Sequence, residues 1–403
     1  MQTCLTSRYL DTPDGKIADT VLRSCVHCGL CTGVCPTYQL TGDELEGPRG
    51  RIYLMKQLFE GQVVTEKTRA RLDHCLTCRA CETACPSQVE YGKLLDLGRE
   101  VLEQTVPRTP RDAAQRRFIR AILPYRSRFA VVLKLARWLR PLLPAPLRRK
   151  IPPTRPATGN WPAASRQRTV LLVEGCVQPE LAPGIDRATA RILDRLGIQT
   201  LRTTDSGCCG ALSYHLAHTE EACGFMRRNI DAWWPAIEAG AEAIVSTASG
   251  CGLMIRDYGW ALRNDSLYAE RARRVSALVR DIGEILAAEN LDALKPAGPP
   301  RIAFHAPCTL QHGQRLGGVV EGVLDRLGFE RVPVTDPHIC CGSAGTYSLL
   351  QPELSQALLH RKLTGLTGSG PERIATANIG CLTHLQSASA IPVCHWVELL
   401  DEA

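Results

Sequence analysis

Two runs of cysteine near the start of the chain, Cys25-x2-Cys28-x2-Cys31-x3-Cys35-Pro36 and Cys75-x2-Cys78-x2-Cys81-x3-Cys85-Pro86, have the spacing that holds a pair of [4Fe–4S] cubanes. Three closely spaced thiolates wrap three corners of one cubane. The fourth cysteine, turned away by the three-residue gap and the proline, reaches the other. The ligand sets therefore cross: Cys25, Cys28, Cys31 and Cys85 for one cluster, Cys35, Cys75, Cys78 and Cys81 for the second. Zinc is the competing ion, but zinc sites favour paired Cys-x2-Cys clips with tetrahedral closure, which two triplets with a proline-flanked fourth cysteine fit poorly. The chemistry these residues support is electron transfer.

Eight further cysteines recur in register when the chain is slid against itself by about 131 positions. Thr169-Val-Leu-Leu-Val-Glu-Gly-Cys176 matches Arg301-Ile-Ala-Phe-His-Ala-Pro-Cys308. Leu193-Asp-Arg-Leu-Gly197 and Leu324-Asp-Arg-Leu-Gly328 each lead to a double cysteine, Cys208-Cys209-Gly210 and Cys340-Cys341-Gly342. Ala243-Ile-Val-Ser-Thr-Ala-Ser-Gly-Cys251 matches Arg373-Ile-Ala-Thr-Ala-Asn-Ile-Gly-Cys381. Adjacent cysteines can bridge two irons, and thiolates from two strand ends can complete four ligands. Cys176, Cys208, Cys209 and Cys251, and likewise Cys308, Cys340, Cys341 and Cys381, are thus candidate ligands for one or two further iron–sulfur centres. A zinc ion and plain burial as small apolar side chains are the competing readings. Cys4, Cys223 and Cys394 have no partner in either pattern and are given no role. His215, His218, His305 and His338 lie near the repeat cysteines in sequence and could tune a centre, but nothing in the pattern assigns them one.

The elements that must position these groups follow from periodicity. Each repeat reads as an apolar strand ending in cysteine, an amphipathic helix closed by glycine, a loop with the double cysteine, a helix and a second strand. In such α/β units, ligands gather at the carboxyl ends of the strands. The cysteine-rich first part reads as mostly helical, and the proline-rich text that follows suits a linker. Within that linker Val131, Leu135 and Trp138 share one helical face, joined by Val132 and Leu139, opposite Lys134, Arg137 and Arg140, until Pro141 stops the helix.

At 403 residues, 44% hydrophobic and 22% charged, the chain has the composition of a multidomain globular protein. Nineteen cysteines in such a chain, with no secretory signal at its start, point to metal ligation rather than a disulfide framework and make the cytoplasm the default compartment. No apolar run reaches the ~18 residues a membrane span needs. The net charge of +7 is concentrated: Arg111 to Lys150 holds twelve Lys/Arg against one Asp, +11, leaving −4 elsewhere. Anionic lipid, an acidic partner subunit and plain solvation all suit that segment, with Trp138 favouring a membrane surface. Base-stacking aromatics are not interleaved with the charges, which argues against nucleic acid. No dinucleotide fingerprint, phosphate loop or nucleophile elbow occurs, so substrate chemistry belongs to another subunit, and a flavoprotein partner is implied.

Cys25-Val-His-Cys-Gly-Leu-Cys31, Gly47-Pro-Arg-Gly-Arg-Ile52, Asp205-Ser-Gly-Cys-Cys-Gly210 and Ser249-Gly-Cys-Gly-Leu-Met254 together resemble the CCG-domain electron-transfer proteins related to heterodisulfide reductase. Among them the resemblance is to the iron–sulfur subunits of glycolate oxidase (glycolate dehydrogenase) complexes, over nearly the whole length. It implies an α+β architecture: a ferredoxin-type 2[4Fe–4S] domain at 1–105, a basic linker at 106–165, and two packed CCG repeats at 166–295 and 296–403. It also implies electrons received from FAD-binding subunits that oxidise glycolate to glyoxylate and passed to a quinone-type acceptor. The place would be the cytoplasmic face of the inner membrane, held peripherally through 111–150. Lactate and glycerol-3-phosphate dehydrogenase complexes use similar carriers. In heterodisulfide reductases each repeat ends in Cys-x2-Cys, whereas here the last position is Met254 or His384. That departure weighs against the non-cubane cluster of those enzymes and against a thiol–disulfide catalyst. Four cysteines per repeat remain.

Overall fold

The computed structural model describes residues 1–144, 148, 151–156, 158–163 and 165–401. Residues 1–105 are helical and built to hold two loops. Thr12 opens the helix Pro13–Ser24 by accepting a hydrogen bond from the Gly15 N–H at 3.0 Å, with Pro13 in the first turn, where no helical N–H is lost. That helix, Pro48–Phe59 and Tyr91–Thr105 pack together and bury Ala18, Val21, Leu22, Met55, Leu94 and Leu95 at helical spacings. The cysteine runs leave this bundle at its helix ends: Cys25 caps Pro13–Ser24, and Cys35 precedes the short helix Pro36–Thr41.

The linker is more regular than its prolines suggest. Pro110 sits in the first turn of the helix Pro110–Ile122 behind the Thr109 cap, a position that tolerates proline, so it starts a helix instead of breaking one. A second helix, Arg126–Leu139, runs to a single tight turn at Arg140–Leu142 containing Pro141. Arg149 and Lys150, part of the basic segment, lie outside the described residues.

Two parallel sheets follow. The first comprises β1 (Arg168–Leu172), β2 (Ile198–Leu201), β3 (Ala243–Ser246) and β4 (Val279–Asp281) in the order β2-β1-β3-β4. The second comprises β5 (Ile302–His305), β6 (Arg373–Thr376) and β7 (Val393–His395) in the order β5-β6-β7, with a lone bridge from Ile302 to Arg331 where the first sheet has β2. Leu171, Leu172, Ile244, Val245 and Ala303 are fully buried, as expected for strands covered by helices on both faces. The helix after β4, Ile282–Ala288, packs on Val319–Arg326 of the second repeat. The helix after β7, Trp396–Asp401, packs on Gly184–Arg195 of the first. One apolar core therefore runs through both units, from Val170, Leu172 and Ile192 to Phe304, Val323 and Trp396. The α+β expectation, helical unit first and two packed α/β repeats after it, holds.

The helical unit is docked on both repeats. Arg79 Nη2 meets Asp257 Oδ2 at 2.5 Å in the first, and the Tyr347 hydroxyl of the second donates to the His74 carbonyl at 3.1 Å. The linker helices strap the assembly through Arg120–Glu221 at 2.7 Å and Arg126–Glu180 at 2.9 Å.

Candidate metal centres

In both early runs the backbone turns twice into the left-handed region, at His27 (φ 57°) and Gly29 (φ 84°), then at Thr77 (φ 52°) and Arg79 (φ 58°). These are equivalent positions, the residue before and the residue after the middle cysteine. Side chains with a Cβ are strained there by roughly 1–2 kcal/mol each, and the gain is a tight loop that turns successive sulfurs inward. Cys25, Cys28, Cys31 and Cys85 line one cavity with Pro48, Ile52 and Tyr91, and Cys81 of the second group also reaches its wall. Burial, with the neighbouring Cys25 and Cys85, pushes the Cys31 thiol up to about 11. Four sulfurs so placed repel one another when ionised, and a cationic iron core is the partner that makes their thiolate forms compatible.

Cys35, Cys75, Cys78 and Cys81 form the second group. Burial and then the charges of Cys78, Cys75 and Cys35 raise the Cys81 thiol. For Cys78, burial acts with Cys308 of the second repeat ahead of Cys35 and Cys75. The Tyr91 hydroxyl donates to Cys75 Sγ at 3.7 Å. Arg51, 1% exposed, lies beside this group and is paired with Glu46 at 2.8 Å. Burial opposes its charge, yet Cys75, Tyr91, Cys35 and Glu46 together hold the guanidinium above its ordinary range.

In the repeats the strand ends bring the separated cysteines together. Cys176, Cys208, Cys209 and Cys251 form a chain of interacting thiols at the ends of β1 and β3 and the loop between. In the second repeat Cys308 Sγ lies 3.8 Å from Cys340 Sγ, and Cys341 interacts with both Cys340 and Cys381. The glycine after each double cysteine is needed where it stands: Gly210 and Gly342 both have φ 89°, and a Cβ would lie 3.0 Å from the Ala222 carbonyl oxygen or 2.5 Å from that of Ser355. That turn aims the Gly210 N–H at Cys208 Sγ and the Gly342 N–H at Cys340 Sγ, 3.4 Å in each case. Cys308 and Cys340 share an apolar cluster with Leu76, against which Cys78 packs, so the second repeat's sulfurs adjoin the second early group.

Residues 21–89 match the 4Fe-4S dicluster domain, and residues 170–256 and 302–386 each match the cysteine-rich CCG domain. The glycolate oxidase iron–sulfur subunit of Escherichia coli (strain K12) is 51% identical over 403 residues, 100% of this chain and 99% of that protein. This chain belongs to the family of glycolate oxidase iron–sulfur subunits. A probable glycolate oxidase iron–sulfur subunit of Bacillus subtilis (strain 168) is 27% identical over 95% of the chain and 94% of its own length. Lactate utilization protein A of an Exiguobacterium strain is 29% identical over 58% of the chain and 97% of its own length.

At the two places where heterodisulfide reductases carry a further cysteine, this chain has Met254 and His384. Met254 is buried in the first repeat's core, and His384 Nε2 pairs with Ser355 Oγ at 3.2 Å. His215 faces Asp96 at 3.3 Å, and the His338 carbonyl accepts from His312 at 3.1 Å. Cys223 is buried among apolar side chains, while Cys4 is exposed. Two buried bases stand beside the second repeat's cysteines: His305, one of the four histidines named from sequence without an assigned role, and Lys362, which the sequence reading missed. His305 has both ring nitrogens unpartnered among the described residues, and burial followed by the nearby Lys362 drives its pKa well below the ordinary histidine value. The Lys362 ammonium donates to the Asp336 carbonyl at 2.7 Å; burial lowers its pKa, against the pull of Cys341 and Cys340. Comparing the repeats residue by residue shows His305 opposite Val173, the one signal that separated it from the other histidines.

Proposed function

We propose that the chain is the electron-transfer subunit of a membrane-associated glycolate-oxidising complex. It receives electrons from a flavoprotein subunit that converts glycolate to glyoxylate and delivers them to a quinone-type acceptor. In this reading Cys25, Cys28, Cys31 and Cys85 hold one [4Fe–4S] cluster and Cys35, Cys75, Cys78 and Cys81 a second. The repeat cysteines hold one or two more centres. Such clusters, when bound, supply one-electron redox steps at potentials set by net charge, hydrogen bonding and exposure. The chain's own contribution is to fix their ligands in sequence, exclude water and place charge beside them.

The contiguity of the ligand groups carries this reading: Cys78 belongs to one early group and lies against Cys308 and Cys340 of the second repeat. At the outer end Cys28 is exposed, flanked by Val26 and Leu30 at 67% and 60% exposure, a small apolar rim suited to a docked partner subunit. Arg51 and Lys362 set buried positive charge beside the inner groups, which favours reduced, more negative centres there. For the membrane, the helix Arg126–Leu139 turns Val131, Leu135 and Trp138 outward at 66%, 54% and 74% exposure within the basic segment, a pattern that suits anionic lipid headgroups on the cytoplasmic face. No helix among the described residues is long and apolar enough to cross a membrane.

Mixing the anaerobic chain and its flavoprotein partner with glycolate tests the proposal. Bleaching of the chain's visible iron–sulfur absorbance is expected, with no cleavage of disulfide substrates by the chain alone. Bleaching by lactate or glycerol 3-phosphate but not glycolate would move the assignment to those complexes, and disulfide turnover by the isolated chain would defeat the carrier reading.

A further inference from the structure

The two repeats differ at the end of their first strand, three residues before the first cysteine of each: Val173 in one and His305 in the other. His305 is 1% exposed, and neither its Nδ1 nor its Nε2 has a hydrogen-bond partner among the described residues. Burying both polar atoms of an imidazole without partners is unfavourable unless something else engages them. What faces the ring is sulfur: a ring nitrogen of His305, Cys341 Sγ and Cys381 Sγ all lie within 4.8 Å of one another, and all three side chains are buried. Cys340 and Cys308, 3.8 Å apart, continue the same group. Nitrogen and sulfur donors converging at this range require only small movements to reach bonding distance of one metal.

We propose that His305 is a nitrogen ligand of the metal centre held by Cys341 and Cys381. This rests on the reading that the second repeat carries an iron–sulfur centre. The first repeat, with Val173 in the equivalent place, offers sulfur alone, so the duplicated units hold electronically different centres. His305 adds a neutral nitrogen donor to a repeat that keeps all four cysteines, so it changes the coordination of that centre without changing the charge of its ligands. The buried Lys362 ammonium, beside Cys340 and Cys341, favours the more negative, reduced state of that centre. The second repeat's centre is then the higher-potential one of the pair, and it is the one adjoining Cys78.

The test uses the full chain, purified without oxygen and partially reduced, grown at natural abundance and with 15N-labelled histidine. Pulsed EPR should show a directly coordinated histidine nitrogen whose coupling changes with the isotope. In H305V, which installs the first repeat's residue, that coupling should vanish while the signals of the early centres persist. If H305V also loses iron, H305C decides: iron and acid-labile sulfide restored without the nitrogen signal support ligation, and iron no higher than in H305V counts against it. Iron that drops in C341S and C381S while the unsubstituted chain shows no histidine nitrogen coupling, or a coupling that persists in H305V, overturns the ligand assignment alone. Iron unchanged in C341S and C381S overturns the underlying reading together with it.

Discussion

Cys35 and Cys85 each stand one residue before a proline and each lies beside the sulfurs of the other run, Cys35 near Cys78 and Cys81, Cys85 near Cys25 and Cys31. The crossing makes a sharp single-residue expectation. Cys85→Ser should remove the centre associated with Cys25, Cys28 and Cys31, about four irons per chain, and leave the EPR signal of the other early centre in place; Cys35→Ser should do the reverse. Iron analysis with EPR of the reduced variants checks both. A second residue-scale expectation concerns pH. Asp281 accepts from the Gly283 N–H at 2.9 Å as a helix cap, and burial raises its carboxyl to about 7, against about 3.9 in an unfolded chain. Between those values the folded chain keeps a proton that the unfolded chain has released. The stability due to Asp281 is therefore full below about pH 4 and is lost as pH climbs to about 7. Asp281→Asn keeps the cap and abolishes that slope, so denaturant melts should show the variant gaining on the parent by an amount on the order of a few kcal/mol between pH 5 and pH 8.

Among the elements, what was legible depended on how local the pattern is. The early runs carry all eight cysteines of the two proposed cubanes in two short stretches, so spacing alone sorts them into groups, and β1, β3, β5 and β6 announce themselves as apolar runs ending in or near cysteine. β4 and β7 are three residues each, and their role, delivering a helix onto the opposite repeat, is a property of the pair that no single repeat displays. The helix Pro110–Ile122 was obscured because proline was weighed as a breaker rather than as a first-turn residue. The helix Arg126–Leu139 was legible from its faces. Of its residues, Leu133 alone is buried, leaving the wider apolar face outward. Replacing Leu135 and Trp138 with serine should weaken binding to anionic vesicles several-fold and leave folding stability within about 0.5 kcal/mol, since exposed side chains contribute little to the core. Co-sedimentation at low and high salt reads the first effect and denaturant unfolding the second.

For the whole molecule, function follows from docking. The helical unit reaches both repeats, through Arg79 and Asp257 on one side and Tyr347 on the other, and this seats Cys78 against Cys308 and Cys340. Contacts across 178 and 273 positions leave no trace in local spacing, which is why the order of the ligand groups, the place of Lys362 and the approach of His305 to Cys341 and Cys381 emerged only from the fold. The most direct test is iron and acid-labile sulfide per chain, measured on the anaerobic protein alongside its C341S variant. The account predicts a brown protein with more than about eight irons, part of which C341S removes while the EPR signals of the early centres persist. A colourless preparation, or one that holds zinc and no sulfide, would contradict it.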